Sequence, residues 1–529
     1  MRAALVAVLS FVPAPLLDAA QCPLLAADAP DPTGGPRRLA GDRFGASLAL
    51  AGEVLLVGAP RAGAVALQRG AVHVFERQFG GWRAGEVLLG GEPLDRFGNA
   101  IALSEDGRQA LVAAFFERQS GVLHAFARTV GGWSEVQEIV PSDAQLLEGF
   151  GYALALDGEA LLAGAPFRDG PGSAFASGAV FAFEHDGDDW VEVQQIVAGD
   201  GRPGAWFGAA LAQRGTWAAV GAPLHAQRGS EAGAVELLER TPAGWVLRQR
   251  LLPSGAADGA HFGAALALQG EWLAVGAPER LDGAVRRGSV HLFRRVGSAW
   301  IAAGALPVHG AAAGARIGAS LTFDGDARLL VGAPGVPGRV HVFERTGDDW
   351  RRVRVLAERP DGREWGAAVA AARGRWAVGI PGDDGSCPFV HGCDSGSVRL
   401  LAAPIEAVVR CHGTLVGGAP ARLALQGCGA LEAQGLVARA SGLPPHAQVI
   451  VLVGGPPLGA AATLCVGAPA VRWACGGADA AGVAQLELAL HSAPPALAAF
   501  GGTWRLQAWF KPGVGPAGLT DGLEVTFGW

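Results

Sequence analysis

The sequence predicts an all-β fold: a seven-bladed β-propeller followed by a small antiparallel β-sandwich. Three observations carry this. A motif recurs seven times over the first 400 residues, each copy holds several short alternating apolar runs, and the repetition stops near Pro404.

Each repeat opens with an aromatic residue or Ile and then Gly: Phe44-Gly45, Phe97-Gly98, Phe150-Gly151, Phe207-Gly208, Phe262-Gly263, Ile317-Gly318 and Trp365-Gly366. The period is about 53 residues, near that of propeller blades. A Gly-Ala-Pro signature follows, as at Gly58-Ala59-Pro60 and Gly164-Ala165-Pro166. It is degenerate at Ala113-Ala114-Phe115 and Gly379-Ile380-Pro381. Next comes Gly-x-Val-x-x-Phe, as in Gly70 to Phe75, and then a Gly-rich turn leading to Trp82, Trp133, Trp190, Trp245, Trp300 and Trp350. Runs such as Ser47-Leu48-Ala49-Leu50 alternate with the period of a strand. The reading is four short strands per repeat, with the Trp covering the outermost one. A four-stranded sheet cannot bury both faces alone, whereas a closed ring of sheets can. Seven openings are met by six hairpin tryptophans. Residues 21–26 (Gln21 to Ala26) are therefore expected to complete the seventh blade, giving a propeller over 21–403.

Tandem Phe-Gly and Gly-Ala-Pro motifs resemble the FG-GAP repeat family, the propeller type at the head of integrin α chains and in many bacterial exported proteins. The resemblance covers about residues 37–403. It implies a propeller and, in many members, calcium held by an Asp/Asn-rich loop between the first two strands. The corresponding loops here are tight, and three successive oxygen ligands are absent. The expectation is no cofactor, with Asp324 and Asp326 as the weak metal candidates.

Residues 1–20 read as a secretory signal: Arg2, an apolar stretch from Ala3 to Val12, then Pro13, Pro15 and small residues at 19–20. The run 449–471 is uncharged, but Pro456-Pro457 and its glycines forbid a membrane helix, so no transmembrane segment is expected. Seven cysteines suit an oxidising compartment, with Cys387/Cys393, Cys411/Cys428 and Cys465/Cys475 as candidate disulfides and Cys22 left over. The predicted location is secreted or cell-surface. With 42 basic residues against 49 acidic ones, a net charge of -7 counts against nucleic acid as a partner. A single lysine, Lys511, argues against lysine-dependent chemistry.

After Pro404 the repeat gives way to strand-like runs such as Ala421 to Leu425, Val449 to Val453 and Leu486 to Leu490, separated by Pro clusters. This is the pattern of a β-sandwich over 404–529.

No motif of nucleophilic or metal hydrolysis is present; Asp394-Ser395-Gly396 falls in the repeat register of Ala176-Ser177-Gly178. His73, His124, His291 and His341 recur at one strand position, which speaks for packing or a solvated strand face. Sequence variation concentrates in the loops after Gly-Ala-Pro and between blades, which a propeller gathers on one face. The candidate ligand-binding residues there are Arg168, Asp169, Trp206, His225, Arg228, His261, Arg280, Asp282, Asp383, Asp384, Phe389 and His391. The expectation is a non-enzymatic binding or adhesion module for a protein or glycan. The alternatives are an exported hydrolase with a site assembled from several blades, or a structural surface-layer component.

Overall fold

The structure is a computed structural model. It describes residues 41–402 apart from 64–67, 79–80, 93, 173, 255–257, 309, 357–363 and 383–395. Beyond residue 402 it describes the backbone of strands between 407 and 527.

Seven antiparallel sheets follow one another along the chain. Blade 1 pairs Ser47–Ala51, Val54–Ala59, Ala71–Gln78 and Gly81–Leu89 in that order. Blades 2 (97–139), 3 (154–197), 4 (210–251), 5 (265–305) and 6 (320–356) repeat it. Blade 7 has three strands among the described residues: Ala368–Ala372, Arg375–Ile380 and Ser397–Ala402. The first strands of successive blades lie side by side around an axis, and Ser47–Ala51 meets Ala368–Ala372, which closes the ring. The expected closing strand at 21–26 lies outside the described residues, as do the signal segment and Cys22.

The recurrent motifs prove to be the joints of this ring. Within a blade, the N–H of the opening glycine donates to the carbonyl of the second-strand glycine: Gly45 to Gly58 at 2.9 Å, and likewise Gly208 to Gly221 and Gly318 to Gly332. Between blades, the opening aromatic forms a parallel bridge with the glycine that precedes the third strand of the blade before it. Gly70 meets Phe97, Gly178 meets Phe207, Gly233 meets Phe262, and Gly396 of blade 7 meets Phe44 of blade 1. The two glycines of adjacent blades also touch directly. A methyl on Gly58 would stand 2.2 Å from the Gly98 carbonyl oxygen, and one on Gly332 would stand 2.1 Å from that of Gly366. Gly98 and Gly366 further adopt positive φ, +86° and +83°, which side chains disfavour. Blade 2 carries Ala113 at the equivalent place, where its methyl faces Gly151.

The core lies between neighbouring sheets. Phe97, for example, packs among Leu56, Val72 and Val74 of blade 1 and Val112, Phe126 and Trp133 of blade 2. The predicted tryptophans sit at the start of the fourth strands, and Trp133, Trp190, Trp245, Trp300 and Trp350 are buried. Sequence inspection missed what lies beside them. Gln137 donates to the Trp190 carbonyl at 3.0 Å and accepts from its N–H at 2.7 Å. Gln194 does the same with Trp245, and Gln249 with Trp300. These amides clasp one blade to the next at the rim. Asp186, read from sequence as a turn former, accepts from the N–H groups of Asp188 and Asp189 in the blade 3 hairpin.

The C-terminal unit consists of two antiparallel sheets. One orders Ala407–Val409, Gly518–Phe527, Gly502–Lys511, Gln448–Gly454 and Val471–Gly477; the other orders Arg422–Gln426, Leu436–Ser441 and Ala484–Leu488. This is the two-sheet organisation expected of a sandwich, and the uncharged run from 449 begins as a strand. Among the described residues, no helix is long and apolar enough to cross a membrane. Of the cysteines proposed to pair, Cys475 falls in a strand whose side chains are not described, and Cys387, Cys393, Cys411, Cys428 and Cys465 lie outside the described residues.

Candidate functional site

The loops between second and third strands and those between blades share one face of the ring. On this face the residue just before each opening aromatic takes a left-handed conformation: Arg43, Arg96, Gly149, Trp206, His261, Arg316 and Glu364, with φ from 54° to 70°. Six of the seven are not glycine, and each such residue is strained by about 1 kcal/mol or more. The inter-blade bridge enforces the turn, so the strain follows from the joint. Its consequence is a crown of side chains around the axis, of which sequence reading singled out Trp206 and His261. Arg43 pairs with Glu364 at 3.0 Å across the closure of the ring, Arg316 pairs with Glu279 at 2.9 Å, and His261 meets Glu231 at 3.3 Å.

Over blades 2 to 4 the crown is aromatic. Phe116 stacks on Phe115 with centroids 4.2 Å apart; Phe115 meets Tyr152 at 5.9 Å, Tyr152 meets Phe167 at 5.5 Å, and Phe167 meets Trp206 at 5.1 Å. Arg96 lies over Phe116, 5.0 Å from its ring centre. Burial raises the Tyr152 phenol above its ordinary pKa. Exposed apolar side chains flank the row: Leu94, Leu146, Leu147 and Phe175. Backbone bonds fix them beside it. The Phe116 N–H donates to Asp95, Leu147 donates to Gln119 at 2.6 Å, and Gly204 donates to Phe175 at 2.7 Å. Of these residues, the sequence reading found Trp206 alone, because the others come from three different repeats.

The remaining predicted residues divide into buried struts and exposed polar positions. Arg168 is buried beneath blade 3, held by Glu148 and by Asp143 at 2.5 Å, and lies over Phe181. Asp169 accepts from the Ala176 N–H at 2.9 Å, which shapes its own loop. His225 is buried and meets Asp200 at 2.9 Å. Arg250 bridges Asp200 at 2.6 Å to buried Glu236. Burial alone would raise the Asp200 carboxyl, but the bonds from His225 and Arg250 outweigh it and bring its pKa to about 2. Arg228 is exposed. Arg280 donates to the Ser254 carbonyl at 3.2 Å, and Asp282 pairs with Arg287 at 2.8 Å. Asp383, Asp384, Phe389 and His391 lie outside the described residues. The face thus brings Trp206 and His261 into the crown, while Arg168 and His225 brace its loops from below.

The recurrent histidines are packed. His124 is buried between Glu117 and Glu135, 2.8 Å from each, and Arg118 pairs with Glu138 alongside. His124, Glu135 and Glu138 offer ligand atoms within 4.8 Å of one another. In this arrangement they form an ion network with Glu117 and Arg118.

On the opposite face, the tight hairpins between first and second strands surround a cavity of about 500 Å³ at the axis, lined by Glu105, Asp157, Arg214, Gln269 and Asp324 among others. The weak metal candidates sit here, and both make bonds between blades. Asp324 accepts from the Gly374 N–H at 2.8 Å and from Trp376 Nε1 at 2.9 Å, and Asp326 accepts from Gln269 at 2.9 Å.

Against this geometry, the FG-GAP repeat family matches residues 38–75, 133–183, 190–236 and 245–293. This is a propeller of FG-GAP repeats. No curated protein matches the sequence. Among solved structures, the FG-GAP propeller is similar to a chain of "Crystal Structure of Mitotic Checkpoint Complex". The likeness has 12% identity and a TM-score of 0.44, over 67% of this chain and 86% of that one.

Proposed function

We propose that this FG-GAP propeller is a non-catalytic recognition module, acting outside the cell, whose partner is another protein docked on the loop face over blades 2 to 4. One observation carries the reading: a row of five contacting aromatic rings, from Phe116 to Trp206, edged by exposed Leu94, Leu146, Leu147 and Phe175. Clustered exposed apolar side chains mark partner surfaces, and aromatic residues with Arg are enriched in them. Two polar side chains of this face, Arg168 and His225, are committed to bracing loops, which suits a fixed surface better than a reaction centre. Export is proposed on the repeat type and the signal-like start of the sequence.

The test is a screen of surface proteins and glycans against the full chain and a Phe116→Ser/Trp206→Ala variant. The expectation is a protein ligand whose affinity falls at least tenfold in the variant, as loss of a central aromatic anchor predicts. Equal binding by both chains would move the site elsewhere, and a ligand found among glycans alone would replace the protein reading.

A further inference from the structure

The third residue after the glycine that opens each third strand is tucked under the loop face, and its environment differs from blade to blade. His124 has Glu117 and Glu135, Glu236 has Arg250, and His291 has Ser289 Oγ at 3.0 Å. His341 of blade 6 is 3% exposed, and its Nδ1 is buried with no hydrogen-bond partner. The cause is loop length. The connection from Pro334 to Gly338 is the shortest of the seven, and nothing in it can reach back as Glu117 does in blade 2. His341 lines a cavity of about 70 Å³. Ala311, Ala315, Ala333 and Pro337 wall it, and Arg339 and Arg352 line it together with His341. Among the described residues, no acidic one lines it.

We propose that this cavity is a binding site for a carboxylate group. The His341 ring inside, the Arg339 fork and the positive charge of Arg352 in the lining favour an incoming anion. A carboxylate matches a guanidinium fork with its two oxygens. The neutral imidazole can carry its proton on Nδ1 and donate it to the same group. The alanine and proline walls suit the short apolar stem of an organic acid. Burial, and then the charges of Arg352 and Arg339, hold the His341 ring neutral with a pKa of about 4, so a bound anion would raise that value. The site lies at blades 5 and 6 and does not depend on a partner docking over blades 2 to 4.

The experiment follows the His341 ring resonances of the full-length protein by NMR, assigned by their loss in His341→Gln. Acetate and glucuronate are titrated separately, against sodium chloride at matched ionic strength. The expected result is a saturable shift and a rise of about one unit in the His341 pKa. In an Arg339→Gln/Arg352→Gln variant, two exposed positions, affinity should weaken about tenfold or more. An Ala311→Leu variant that fills the cavity should lose the shift. Binding of acetate alone assigns the site to free small acids, and binding of glucuronate as well assigns it to acidic sugars. Absence of a saturable shift with either acid, or a shift that chloride reproduces, overturns the proposal whatever the variants do.

Discussion

His124 in blade 2 and His341 in blade 6 occupy the same place on the third strand, and both are buried. Burial disfavours a charged imidazole in each. At His124, hydrogen bonds to Glu117 and Glu135 more than offset it and hold the pKa above the ordinary value. At His341 no carboxylate among the described residues answers, the arginines add to the burial effect, and the pKa is pushed down to about 4. One residue type at one repeat position is thus favoured as a cation in one blade and kept neutral in another. The repeat fixes where the ring lies; the neighbouring loops fix its charge.

The two blades also differ at their joints, and this gives the largest expected effect. Gly332→Ala in blade 6 drives a methyl to 2.1 Å from the Gly366 carbonyl oxygen, which cannot yield without moving the next blade. Its cost should reach about 4 kcal/mol, as for severe overpacking. Ala113→Gly in blade 2, where a methyl is already housed, should cost about 1 kcal/mol. Thermal or urea unfolding of the two variants checks this, and similar losses would mean that the joint is not the close contact described.

The next effect comes from acid. The folded pKa of His341 is depressed, so its stabilising share is present above the unfolded value near 6.5 and is lost as pH falls toward about 4. The loss should be roughly 3 kcal/mol over that window. His291, also at about 4 through burial and then the Arg280 charge, adds to the same limb. His341→Phe, the type that blade 3 carries there as Phe181, should flatten part of the limb without harm at neutral pH. An unchanged acid limb in unfolding measured across pH 4 to 7 would contradict the neutral assignment.

The opposite sign holds in blade 2, with a smaller magnitude. A raised folded pKa gives His124 a stabilising share that is full below about 6.5 and declines as pH rises through the folded value. Glu117→Gln should cost about 2 kcal/mol at pH 6, as expected for breaking a buried charged hydrogen bond, and should remove most of that alkaline decline. A variant that loses stability equally at pH 6 and pH 9 would show that Glu117 acts through packing and not through the charge on His124.

Much of the fold was legible because the blades share one joint. Phe44-Gly45 and Gly58 recur as a set, since an aromatic that fills the gap between sheets, a left-handed glycine and a glycine backbone contact are needed together at every junction. The rim clasps went unseen because Gln137, Gln194 and Gln249 lie in ordinary strand sequence, and their use depends on a tryptophan more than fifty residues on. The candidate site was legible in part. Trp206 and His261 stand out before Phe-Gly, while Arg43, Arg96, Arg316 and Glu364 hold the same place without a chemical signature. Arg168 looked like a binding residue because a loop arginine is usually solvated; Glu148, buried and 20 residues earlier, draws it inward.

The sequence by itself determined seven sheets of one pattern, their order, and the face on which variable loops gather, because periodic burial and tight glycine contacts are local demands repeated at fixed spacing. Only the tertiary structure decided which loop side chains became struts, which rings formed a continuous row, and which buried histidine went without a partner. Each of those outcomes depends on loops of unequal length arriving from different repeats, and distance along the chain says little about which of them will meet.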